Sequence, residues 1–215
     1  MAKTIVCFGD SNTHGYNSQN MGRFTEKERW TCLLAEMLGE EYLVREEGMG
    51  GRTTVFDDPL FEGLCGLDYI YPCMMTHEPV SLLIVMLGTN DVKERFAVNP
   101  ENIAKGMERL LTKAMRSLEA WENQRPNVLL IAPPPIEKGY ETTFIYGEMG
   151  DHCVEKSQKL AAVYKEVANR LGCHFLDAGA IEGVSMYPYD YMHLSLEGHR
   201  RLAEELAKVI QEIMQ

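Results

Sequence analysis

The sequence predicts an α/β protein, a three-layer α/β/α sandwich built on about five parallel strands. Two observations carry that expectation. Short apolar runs alternate with amphipathic segments of helical period along the whole chain, the pattern of a parallel sheet covered on both faces. One run, Ser81 to Leu87, is continuously apolar, as a strand buried on both sides must be.

The elements follow in order. Thr4 to Phe8 reads as a first buried strand. Trp30, Leu33, Leu34, Met37 and Leu38 recur at helical spacing, and Gly39 stops that helix. Tyr42 to Glu46 makes a second strand. Gly48 to Pro79 reads as a long irregular connection, of the kind that carries function or short helices of its own. After the Ser81 to Leu87 strand, Asn99 and Pro100 form an N-cap and first-position pair. They open a helix whose apolar face is Ile103, Met107, Leu110, Leu111, Ala114 and Leu118. Asn127 to Ala132 is the fourth strand, broken by Pro133-Pro134-Pro135. A helix carrying Leu160, Ala161, Tyr164, Val167, Ala168 and Leu171 ends at Gly172, and His174 to Leu176 is the last strand. Ser195 caps a final helix with Leu202, Leu206, Val209, Ile210 and Ile213 inward. No linker, repeat or low-complexity tract divides the 215 residues, so a single domain over residues 1–215 is expected.

Bulk properties narrow the function. Lysine and arginine number 21 against 32 aspartates and glutamates, a net charge of −11. That balance gives no overall attraction to nucleic acid or anionic membranes, and neither is expected as a partner. No apolar run approaches the ~20 residues of a membrane span. The six cysteines form no C-x-x-C pair, and Met1-Ala2-Lys3 leads straight into strand pattern. Reduced thiols and a cytoplasmic protein follow as expectations. Neither a metal nor another cofactor is expected: His193 and His199 lack the i, i+4 spacing of a helical zinc pair. The loop Gly9 to Gly15 lacks the lysine of a P-loop, and Thr53 stands where a dinucleotide fingerprint needs its third glycine.

Polar residues gather where strands end. The first such loop holds Gly9-Asp10-Ser11-Asn12, the second Gly48-Met49-Gly50-Gly51-Arg52, the third Gly88-Thr89-Asn90-Asp91. Asp190-Tyr191-Met192-His193 precedes the final helix. Acyl transfer by serine needs a base, an acid to orient it and donors for the oxyanion. Ser11, His193 and Asp190 fill the first roles, and the Ser11 N–H, a glycine N–H and an asparagine amide can supply the donors. His14 is a second candidate base and Asp177 a rival partner for His193. Asp10 and Asp91 read as braces of their own loops.

These four blocks, in this order, resemble the SGNH (GDSL-type) hydrolase family. Glu46-Glu47-Gly48, Arg52-Thr53-Thr54, Asp57-Asp58-Pro59 and Pro133-Pro134-Pro135 resemble its arylesterase and acyltransferase subgroup. The resemblance implies a flavodoxin-like sandwich and a serine esterase acting on small carboxylic esters. It implies Ser11 as nucleophile, His193 as base and Asp190 as its partner, with Ser11, Gly51 and Asn90 forming the oxyanion hole. The second block lacks the family's usual Asn, so either Gly50 or Gly51 can supply the inward N–H. Tyr-Met between Asp190 and His193 is bulkier than the family's Gly-containing version. Asn12, Tyr16, Lys93, Phe144, Ile145 and Met192 are candidates to line the pocket. Tyr187, Tyr189 and Tyr191 suit either a pocket or a subunit contact, and a homo-oligomer is expected. A carbohydrate O-acetyl esterase with the same machinery, and a small-ligand-binding protein without activity, are the alternative readings.

Overall fold

The structure, a computed structural model, describes residues 2–214. The chain runs β1 (Lys3–Gly9), α1 (Ser11–His14), β2 (Tyr16–Asn17), β3 (Gly22–Arg23), α2 (Trp30–Leu38), β4 (Tyr42–Gly48), α3 (Gly66–Thr76) and β5 (Val80–Met86). It continues with α4 (Pro100–Arg116), β6 (Val128–Ala132), α5 (Tyr146–Met149), α6 (Cys153–Ser157), α7 (Leu160–Leu171), β7 (His174–Asp177) and α8 (Leu196–Ile213). Five strands form one parallel sheet in the order β4-β1-β5-β6-β7, and β2 and β3 make a small antiparallel hairpin. Counting only the five strands of the large sheet, that order is the flavodoxin-like one, 2-1-3-4-5.

Side-chain alternation divides the core into two layers. Ile5, Cys7, Leu82, Ile84, Met86, Leu129 and Ile131 face Trp30 and Leu34 of α2 and Leu202, Leu206 and Ile210 of α8. Val6, Phe8, Leu83, Val85, Leu130 and Ala132 point the other way, onto α3, α4 and α7. The central β5 is buried at every position, as its unbroken apolar run requires. Asn99 accepts from the N–H of Asn102 at 2.8 Å and Ser195 from that of Gly198 at 2.9 Å, so both predicted caps form. Each such cap is worth about 1 kcal/mol.

The structure fills in the long connection and corrects the end of one helix. The stretch from Gly48 to Pro79 contains an eleven-residue helix, α3, which buries Leu67, Ile70, Cys73 and Met74 on one face. Gly66 at its start and Pro72 inside it hide that period. Helix α4 ends at Arg116, so Leu118 is not on its apolar face but 45% exposed in the following 3₁₀ turn. The Pro133 to Met149 segment ends in the single turn of α5. Among the described residues no helix is long and apolar enough to cross a membrane.

Candidate active site

In an open α/β sheet, ligands bind beyond the carboxyl ends of the strands where the strand order reverses. Here that point lies between β1 and β5, so the loops after these two strands meet there. Ser11 is the first residue of α1, directly after β1. The Asp10 carboxylate caps this turn by accepting from the Asn12 N–H at 2.9 Å, and Gly15 closes it by donating to the Ser11 carbonyl. Asp10 therefore braces its turn, as expected. Burial pushes its carboxyl up to about 6, against the opposing pull of that N–H and of His193, Arg52 and Lys93.

The loop before α8 brings the other two groups. Oδ1 of Asp190 accepts from the N–H of Met192 at 3.1 Å and of His193 at 3.0 Å, an Asx-type turn. Tyr191 takes the left-handed conformation (φ 56°) that lets Asp190 reach forward to His193, three residues on. Oδ2 of Asp190 then lies 2.6 Å from Nδ1 of His193, and Nε2 of His193 lies 2.8 Å from Oγ of Ser11. Burial alone would raise the Asp190 pKa. The bond from the His193 ring and the two backbone N–H groups outweigh it and hold the carboxyl below its ordinary value. An ionised Asp190 fixes the proton on Nδ1 and leaves Nε2 to accept from the Ser11 hydroxyl. Neither His14 nor Asp177 enters this chain: Asp177 accepts from the N–H of Gly179.

Asn12 ties these two loops together. Its Oδ1 accepts from the Leu194 N–H at 2.8 Å and its Nδ2 donates to the Met192 carbonyl at 3.3 Å. Both ends of the buried amide are thus spent on the loop that carries His193. Asn12 does not line the cavity, contrary to the expectation from its place beside Ser11.

The second loop approaches from β4. A Cβ on Gly48 would sit 2.1 Å from the His14 N, so only glycine lets β4 pass α1 this closely. The Met49 N–H donates to the Gly9 carbonyl and the Arg52 N–H to Met49, closing a turn with Gly51 at φ 83°. That angle is the one a type II turn demands at its third residue. The Arg52 guanidinium donates to the carbonyls of Gly9 and Glu47 and lies 4.3 Å above the Phe8 ring, pinning the first and second loops to each other. From the third loop, Nδ2 of Asn90 donates to the Arg52 carbonyl at 3.2 Å. Asp91 accepts from the N–H and hydroxyl of Thr54, so it braces the third loop against the second segment rather than locally. Among the described residues, the N–H groups of Ser11, Gly50 and Gly51 donate to nothing. One hydrogen of the Asn90 amide is likewise unspent.

These groups face a cavity of about 200 Å³. Ser11, Gly50, Gly51, Asn90 and His193 line it, as do the expected Tyr16, Lys93, Ile145 and Met192. The Tyr16 ring packs on His193 with centroids 4.6 Å apart. Glu148 and Met149 also line the cavity and were not anticipated. They sit on α5, a turn too short to show a period. Phe144 does not line it. The chain turns into α5 just after it, and its side chain is 52% exposed. Tyr187, Tyr189 and Tyr191 stay outside as well: Tyr187 stacks on Phe24, Tyr189 is half exposed, and the Tyr191 ring covers Gly139. A larger open groove of about 880 Å³ between α3 and α4 contains none of the strand-end residues. Two groups of metal-ligand type, Glu47 with Cys73 and His77, and Asp57 with Cys65 and Asp68, lie away from the cavity. In the first, His77 is already bonded to Glu47 at 2.6 Å.

Comparison with known proteins places this geometry. The profile of the GDSL-like lipase/acylhydrolase family matches residues 7–201. The chain belongs to this family. The hydrolase superposes on the native aryl esterase of M. smegmatis with a TM-score of 0.88 at 35% identity, covering 99% of this chain and 100% of that one. Est24, a carbohydrate acetylesterase from Sinorhizobium meliloti, gives 0.87 at 33%, covering 98% and 99%. A lipolytic G-D-S-L family member from Veillonella parvula shares the fold at 18% identity, with a TM-score of 0.67 over 98% and 99% of the chains. No curated protein matches the chain. As a GDSL-type hydrolase of esterase-like kin, this chain is an enzyme of the serine-hydrolase class.

Proposed function

We propose that this hydrolase cleaves small carboxylic esters through an acyl-enzyme on Ser11. One observation carries the reading: the Ser11 hydroxyl, the His193 ring and the Asp190 carboxylate form a continuous chain of 2.8 and 2.6 Å contacts at the floor of a small cavity. Oγ of Ser11 attacks the ester carbonyl as its proton passes to Nε2 of His193. Asp190 balances the imidazolium that results. The oxyanion is received by the N–H groups of Ser11 and Gly51 and the free hydrogen of the Asn90 amide, with the Gly50 N–H as the alternative glycine donor. Collapse expels the alkoxide, which takes the proton from Nε2 and leaves as the alcohol. Water then attacks the acyl-enzyme by the same path in reverse, releasing the acid; an alcohol in its place gives transesterification.

The cavity has room for a small acyl group. At about 200 Å³ it is only somewhat larger than the 150 Å³ cavity that houses benzene, so short acyl groups fit. A carbohydrate O-acetyl esterase is the second reading, supported by similarity to Est24 at nearly the same identity as to the aryl esterase. An ester panel crossing acyl length with aryl, alkyl and sugar alcohols separates the two. Wild type turns over the acetyl esters, and Ser11→Ala loses at least about 10⁴-fold. Retained turnover in Ser11→Ala refutes the acyl-enzyme. We place the protein in the cytoplasm as a homo-oligomer, the latter on its exposed Leu60, Phe61 and Phe144. Light scattering that finds only a 24.4 kDa species removes the oligomer.

A further inference from the structure

Lys93 is the cation of the cavity wall, and its ammonium donates a hydrogen bond to none of the described residues. It follows Asn90 by three residues, and its N–H donates to the Asn90 carbonyl at 3.3 Å, so its backbone is fixed relative to the amide that faces Ser11. Its side chain is 8% exposed. The nearest carboxylate oxygen is Oδ2 of Asp58 at 3.9 Å, too far for a hydrogen bond, and Arg95 lies nearer to that oxygen at 3.3 Å. No other described residue accepts from Nζ. Burial, with the charge of Arg95 next, lowers the Lys93 pKa. An ammonium has three donors, and a ligand that displaces water from beside it in the cavity must supply acceptors in exchange.

The remaining wall sharpens the choice of ligand. Apart from Ser11, His193 and the oxyanion donors, the cavity is lined by Tyr16, Ile145, Met149 and Met192, with Lys93 and Glu148 as the charged groups. An alkyl acyl or alcohol group would satisfy the apolar side chains and leave Lys93 unbonded. A carboxylate would add charge to a set that already balances, Lys93 and Arg95 against Asp58 and Glu148. A neutral hydroxyl suits both members of the wall: it accepts from Lys93 and can donate toward Glu148.

We infer that Lys93 reads a hydroxyl oxygen carried beside the scissile ester, so that the preferred substrates are hydroxylated, either hydroxyacyl esters or acetyl esters of polyols. This rests on the reading of the Ser11 cavity as an ester site and names the class of ester it takes. Lys93 is then a specificity residue that touches substrate, not a counterion for Asp58.

Two matched pairs test it: glycerol monoacetate against propyl acetate, and methyl glycolate against methyl propanoate. The first places hydroxyls on the alcohol side, the second on the acyl side. The ratio of kcat/KM within each pair is compared between wild type and Lys93→Met, which cancels the intrinsic reactivity of the esters. Loss of a charge-assisted hydrogen bond lowers the ratio about 10- to 100-fold in one pair, and which pair falls identifies the side. Lys93→Gln keeps a donor and loses less; should the Met variant fail to fold, a fall in this variant decides. Ratios unmoved in both pairs, with all esters slowed alike, overturn the inference and leave Lys93 as a counterion. Wild type inactive on all four esters and on p-nitrophenyl acetate refutes the ester reading instead.

Discussion

At the floor of the cavity, Ser11, His193 and Asp190 are held from several directions at once. Asp190 takes two backbone N–H groups and the His193 ring, and Asn12 clasps the backbone on both sides of His193. The outer wall is made differently. Ile145, Glu148 and Met149 lie on or beside a four-residue helical turn, flanked by half-exposed Phe144 and Tyr146. The difference teaches where each property resides. Reaction geometry is set by groups over-determined through hydrogen bonds between strand ends, and ester selection by side chains on a local turn held to the core through Met149 and to Arg95 through Glu148. Sites gain precision when their supporting shell locks them, and loops remain free to vary.

Substitutions on the two walls should therefore fail in different ways. The largest effect is expected from Asp190→Asn, which keeps the shape but removes the charge that fixes the His193 tautomer. The turnover number falls about 10⁴-fold while KM changes little, measured by steady-state kinetics on p-nitrophenyl acetate. Asn90→Ala comes next. Loss of one oxyanion donor costs about 10²–10³ in kcat, and a loss carried by KM instead would place Asn90 among binding groups. Ile145→Ala acts on the other wall. It should shift the preferred acyl chain toward greater length, with changes of about 10-fold in kcat/KM between neighbouring chain lengths. A collapse of kcat on every ester would show that the outer wall also sets reaction geometry.

The smallest effect concerns stability. Burial pushes the Asp91 carboxyl up to about 6, its hydrogen bonds from Thr54 only partly opposing this. In the unfolded chain the same group titrates near 3.8. A raised folded pKa means that the unfolded state releases its proton first, so this contribution to stability is full below pH 3.8 and lost as pH rises through about 6. The urea midpoint of wild type, relative to Asp91→Asn, should fall across that window and stay level above it. A midpoint difference independent of pH would mean that Asp91 ionises normally.

The floor of the site was more legible in the sequence than its wall, for the same physical reason. A serine after a buried strand and an acid three residues before a histidine are demanded by chemistry at nearly fixed spacing, so residue type alone locates them. The five strands were likewise readable because burial on both faces leaves long apolar runs. Asn12 illustrates where this stops. Its residue type fits a pocket, but the single turn of α1 aims it at the His193 loop, and no periodicity reports that direction. Helix α3 was hidden by Gly66 and Pro72, whose usual role is to break helices. Glu148 and Met149 lie on a turn too short to have a period. Arg52 gave no sign that it would lie on Phe8 and bind the Gly9 carbonyl, because that contact joins residues 43 apart in the chain.

The central claim is that Ser11 is the nucleophile and His193 its base. It is tested most directly by treating the enzyme with a fluorophosphonate and locating the adduct by fragment-ion mass spectrometry. The account predicts one phosphonyl group on Ser11, loss of esterase activity in step with labelling, and no adduct in His193→Ala. An adduct on another residue that abolishes activity, or an unlabelled Ser11 in an enzyme that still turns over esters and is inactivated by the reagent, would contradict it.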